Sequence, residues 1–134
     1  MRGPRPEPPD PQLVRRPNGP FGWLPAALLH GGWLARLGPD ATAVLVLLSL
    51  AADRRGASFY SRDRMAQRLG LARAAVDRGL ARLTELGLVA HRTWRSGSPD
   101  GVWQLLPLPA ERERGRSGRP LLIGEVLAQL GLGR

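Results

Sequence analysis

Apolar positions along this chain fall into blocks separated by glycine and proline. Residues 1–20 show no apolar period and hold seven prolines, which predicts a disordered arm carrying Arg2, Arg5, Arg15 and Arg16. In "FGWLPAALLHGGWLARLGP" (21–39), Trp23, Leu24, Leu28, Trp33 and Leu37 read as packing residues. Pro25 suits a first helical turn and Gly31–Gly32 a break. The longest apolar run is "ATAVLVLLSLAA" (41–52), with Asp40 placed to cap its free N–H groups. Thr42, Ser49 and Asp53 fall at i, i+7 and i+11, one narrow polar stripe on an otherwise apolar surface. That pattern predicts a helix central to a core or at a subunit interface. Its 12 residues fall short of the ~20 of a membrane span.

Shorter periods follow. "RRGASFYS" (54–61) reads as a loop and a short extended piece. Ser61 can cap a helix over 62–69, which Gly70 ends in a left-handed turn. A second helix covers 73–86, closed by Gly87. "LVAHRTWR" and "VWQLLPLP" then flank "SGSPDG", which predicts a β-hairpin with the six residues 96–101 as its loop. Trp94 and Trp103 would be cross-strand partners in that hairpin. After Pro109 comes a charged linker, "AERERGRSGR" (110–119). "PLLIGEVLAQLGL" then offers a short amphipathic helix with Ile123, Leu127 and Leu130 on one face, flanked by Val126. The expected organisation is an arm (1–20), a domain (21–109), a linker (110–119) and a C-terminal helix (120–134). The fold class is mainly α with a small β-hairpin (α+β).

Composition narrows the chemistry. No cysteine is present, which rules out disulfides and thiolate metal sites and fits a reducing cytoplasm. The N-terminus is polar and Pro-rich, unlike a signal peptide. The net charge of +9 suggests a polyanionic partner. A compositional explanation competes, because all 20 basic residues are Arg, as GC-rich codons produce. Location decides between them: residues 54–95 hold ten Arg against Asp63, Asp77 and Glu85, leaving +7 there. Drift would spread the excess more evenly, so a local basic surface is expected. His30 and His91 lack metal-ligand neighbours at i+3 or i+4, the acids show no paired-carboxylate geometry, and "LGLGR" lacks the strand and lysine of a phosphate loop. No cofactor, metal or enzymatic activity is expected.

On a 100° wheel, Val76, Leu80 and Leu83 fall within about 60° of one another and form the core face of the 73–86 helix. Gly79 borders that face; it costs ~1 kcal/mol against Ala, which close approach of another helix would justify. Ala66, Leu69 and Leu71 supply facing contacts. The opposite face carries Ala74, Arg78, Ala81 and Glu85, flanked by Arg73, Asp77 and Arg82. Small residues around an arginine suit insertion into a major groove. Alanines permit close approach, and Arg78 can reach guanine O6 and N7. Asp77 repels phosphate but can accept from cytosine N4. Arg62 and Arg64, in the first turn after Ser61, are placed for phosphate. His91, Arg92, Arg95 and Ser96 could carry the hairpin onto the flanking backbone or minor groove.

The run "SFYSRDRMAQRLGLARAAVDRGLARLTELGLV", followed by a Trp-bearing hairpin, resembles a winged helix-turn-helix domain over residues 41–106. With residues 23–40 included, which open on "WLPAALL", about 85 residues resemble the N-terminal domains of plasmid and phage replication initiators. The resemblance implies a DNA-reading helix at 73–86 and a hairpin wing at 88–108. It departs at Ala72, where recognition helices of the family usually begin with Ser or Thr.

Three functions follow as expectations. The first is sequence-specific double-stranded DNA binding by a bacterial transcriptional regulator, a nucleoid-associated cytoplasmic homodimer, since one short helix reads few base pairs. The second is a replication or mobile-element accessory factor that recruits a partner through 120–132. The third is a protein-interaction module without DNA.

Overall fold

The computed structural model describes residues 5–93 and 100–109. Four helices, α1 (Ala27–His30), α2 (Trp33–Ala51), α3 (Arg62–Leu69) and α4 (Arg73–Glu85), accompany three strands, β1 (Ala57–Ser58), β2 (Val89–Arg92) and β3 (Val102–Leu105). The strands form an antiparallel sheet in the order β1-β3-β2, so the fold is α+β. The expected N-terminal arm is described from residue 5 and is exposed throughout. The expected linker and C-terminal helix lie outside the described residues.

Helix α2 is the hub. Its Leu37, Ala41, Val44, Leu45, Leu47 and Leu48 are buried together with Met65, Val76, Leu80, Leu83, Val89 and Trp103. The helix is long and apolar enough to cross a bilayer by length and composition. Here that apolar surface meets the domain's own elements. It also begins earlier than the apolar run does. Gly38 (φ 80°, ψ 173°) breaks the helical path before Pro39, and helix continues on both sides. Asp40 therefore lies inside α2, one residue past Pro39, and not ahead of it as a cap. Ser49, on the expected polar stripe, donates its hydroxyl to Leu45 O at 2.8 Å and is buried. Asp53 instead closes the loop after α2, its Oδ1 accepting from Arg55 N (2.8 Å) and Ala57 N (3.0 Å). Those two backbone bonds, Ala57's foremost, hold its carboxyl below the usual range.

The tight contact between α2 and α4 explains Gly79. A Cβ at that position would lie 3.0 Å from both Asp40 O and Val44 Cγ2, and 3.2 Å from Ala41 Cα. The helix ends follow their sequence signals. The Ser61 hydroxyl accepts from Arg64 N at 3.1 Å, and Gly70 (φ 66°) ends α3. At the end of α4, Leu88 N donates to Leu83 O and Gly87 N to Thr84 O, the paired bonds of a Schellman turn with Gly87 at φ 77°. Ala72 gives α4 no side-chain cap.

The hairpin register corrects the expected tryptophan pair. Arg92 pairs with Val102 and His91 with Trp103. Trp94 lies outside the described residues, and the link between the paired ends is 93–101, longer than 96–101. Gly101 (φ 55°) packs so closely on Arg92 that a Cβ there would lie 2.2 Å from Arg92 O. That contact, with His91 Nε2 2.6 Å from Asp100 O, fixes the ladder three residues away from the symmetric tryptophan pairing. β1 joins the far edge of β3, Ser58 opposite Trp103, so the short extended piece is a third strand.

Candidate nucleic-acid interface

Helices α3 and α4 are joined by Gly70, Leu71 and Ala72. Packing of Val76, Leu80 and Leu83, none more than 3% exposed, turns the other side of α4 outward. Ala74, Asp77, Arg78, Ala81 and Glu85 all lie on the surface, and the Arg78 side chain is 68% exposed. The stripe of small residues around an arginine is therefore open to solvent.

Acidic side chains thread this stripe. Arg78 meets Asp40 at 3.3 Å, bringing the start of α2's second segment beside α4. Arg82 donates to Arg36 O (3.0 and 3.2 Å) and meets Glu85 at 3.2 Å. Arg73 bridges Asp63 at 2.5 Å and Asp77 at 3.2 Å. Hydrogen bonds from its guanidinium to Asp63 and then Asp77 favour its charged form. Exposed pairs like these contribute about 0–1 kcal/mol each, so a phosphate or base edge can displace them at little cost.

Arg62 is held differently. Its side chain is only 22% exposed, meets Asp100 at 3.1 Å and Asp77 at 3.6 Å, and lies over the Trp103 ring, 4.8 Å from its centroid. His91 stacks on Trp103 with ring centroids 4.0 Å apart. Asp100 also accepts from Arg62 N at 3.0 Å. That backbone bond, followed by the guanidinium bond, lowers the Asp100 carboxyl from its usual range. Asp63, Arg73, Asp77, Arg62 and Asp100 thus form one chain of charges linking α3, α4 and the hairpin. Arg62 was expected to hold phosphate; the structure gives its guanidinium to this joint. Arg64, two residues on and therefore on roughly the opposite side of α3, is exposed with its guanidinium 5.0 Å from the Tyr60 ring.

Ser61, Arg64, Arg73, Ala74, Asp77, Arg78 and Arg82 share the α3–α4 surface, and Arg92 is exposed at the end of β2. Arg95 and Ser96 lie outside the described residues. Asp40 and Asp100, absent from the sequence-derived set, are brought in from 38 residues away on either side, each through an arginine. A local charge count over 54–95 could not include them. Asp100 had a weak signal, a turn aspartate in "SPDG"; Asp40 had none beyond its reading as a cap. Among the described residues, no group of three or more His, Cys, Asp or Glu could hold a metal ion. No family model, curated protein or solved structure matches the chain.

Proposed function

We propose that the chain is a winged helix-turn-helix protein that binds double-stranded DNA sequence-specifically, as a transcriptional regulator acting without enzymatic chemistry. The element order and the central place of β3 in the sheet support that fold reading. The open Ala74–Arg78–Ala81 face of α4 carries the functional reading. α4 enters the major groove, Arg78 exchanges Asp40 for a guanine edge, and the alanines permit close approach. Ser61 and Arg64 face one phosphate strand, while Arg73 and Arg82 exchange their acids for the other. Arg62, with Asp100 and Trp103, sets the angle of the wing. Two copies on two half-sites supply the specificity that one short helix lacks.

Selection of bound sequences from a random duplex pool tests this reading. Enrichment of a defined site is expected, with log K falling linearly in log salt. Equally negligible affinity for random and genomic duplexes at about 50 mM salt would end it. One observation favours a second reading, a protein-docking module: acids sit among the arginines of the α4 face, as on a surface that meets mixed charge. A partner bound with no affinity for DNA at low salt would select that reading.

A further inference from the structure

An apolar groove of about 730 Å³ lies apart from the α4 face and shares no residue with it. Its walls are the 21–28 segment, the last turns of α2 and the chain leaving β3 through Leu106, Pro107 and Leu108. The 21–28 segment crosses α2 at Gly22, where a Cβ would lie 2.3 Å from Ser49 O, so only glycine lets it sit this close. Large side chains around the groove stand uncovered: Phe21 is 71% exposed, Trp23 75%, and Leu50, next to the crossing, 65%. Large apolar side chains exposed at one groove of a small domain mark a surface that something covers.

We infer that this groove receives the chain's own segment 120–132, docked through Ile123, Leu127 and Leu130. Three observations choose this occupant. The described chain ends at Pro109, directly after Leu108, which is 5% exposed in the groove wall, so the chain departs from the site itself. Ten residues, the length of 110–119, would reach at least roughly 16–19 Å as a flexible connection. That matches a domain of radius of gyration ~13 Å, which puts the segment at an effective concentration in the millimolar range. The charges are also compatible: Asp53, Arg54 and Arg55 line the rim, the Asp53 carboxylate is taken up by Arg55 N and Ala57 N, and the two arginines face a segment whose one acid is Glu125. Docking is independent of DNA binding and covers a face that the reading of α4 leaves bare.

The chain has no cysteine, so introduced pairs report cleanly. In the full chain, Leu24→Cys with Gly131→Cys places one thiol in the groove wall and one beside the apolar face of the segment. Arg68→Cys with Gly131→Cys is the reference for undirected encounter. Disulfide formation at least tenfold faster in the first pair is expected, within one chain when light and heavy isotope-labelled copies are mixed. Adding Leu127→Asp should bring the first pair to the reference rate. Equal rates in the two pairs would overturn the proposal. So would products joining light to heavy copies, which would assign the groove to a second copy.

Discussion

The α4 face and the groove beside β3 are both open to solvent, but they are unfinished in different ways. On α4 every large exposed side chain is charged, and Arg73, Arg78 and Arg82 each rest on an acid of the same domain. In the groove the exposed side chains are apolar, and only the rim carries charge. A face of exchangeable ion pairs is soluble alone and gives up little when a polyanion takes the arginines. A face of exposed Phe21 and Trp23 gains by being covered at all times. The first has the properties of a reversible contact, the second those of a standing one.

The contrast depends on α4 being held rigidly by α2, and Gly79 is where that can be broken most severely. Gly79→Val should destabilise the domain by about 1–3 kcal/mol through overpacking against Asp40, Ala41 and Val44. The urea midpoint measures this, and DNA binding should fall with the folded fraction. Unchanged stability would mean that α2 and α4 are not in the contact described.

Arg78→Ala acts on the reversible face alone. It should weaken binding to the selected site about 10–100-fold, relax the preference at one base pair and leave stability unaltered, because its pair with Asp40 is exposed. Loss spread evenly over all sequences would make Arg78 a phosphate contact.

Arg62 and Arg64 lie within one helical turn of α3 but have different partners. Arg64→Ala should lower the salt slope by about 1 with little effect on stability. Arg62→Ala should instead cost about 1–2 kcal/mol of stability, leaving the half-buried Asp100 with only its backbone bond to residue 62, and should leave the slope unchanged. The reverse outcome would return the phosphate role to Arg62. Asp100 also gives this joint a pH dependence. Its folded-state pKa is depressed, so its contribution is complete above the unfolded pKa of about 3.9 and fades as pH falls through the folded value. The stability difference between wild type and Asp100→Asn should therefore shrink toward zero on acidification below about pH 4.

The smallest change should come from supplying the cap that α4 lacks. Ala72 already has the extended backbone of an N-cap (φ −65°, ψ 149°). Ala72→Ser should add about 1 kcal/mol, a rise of roughly 4–8 °C in Tm. No rise would show that the first turn of α4 is satisfied otherwise.

Local signals made much of this fold readable. Ser61, Gly70 and Gly87 mark helix ends through bonds that reach at most five residues, and the Val76–Leu80–Leu83 period needs only the helical repeat. The strand register was not readable, because it is set by Gly101 folding onto Arg92 and by β1, contacts between distant parts of the chain. The kink at Gly38 escaped because Pro39 looks like a helix start when helix before it is not foreseen. For the site, a wheel was enough to place Ala74, Arg78 and Ala81 outward. It could not show that Asp40 and Asp100 would arrive beside Arg78 and Arg62. Those pairings separate an arginine free to exchange from one held in a joint.

In the proposed function the outer side of α4 enters duplex DNA. Backbone amide shifts of the labelled full chain, followed during titration with the selected duplex, test it most directly. Changes should concentrate at Ser61–Arg64, at Ala74–Arg82 and along β2, with Phe21–Leu24 and Leu50 unmoved. Changes confined to the groove, or none at α4 under saturating duplex, would contradict it.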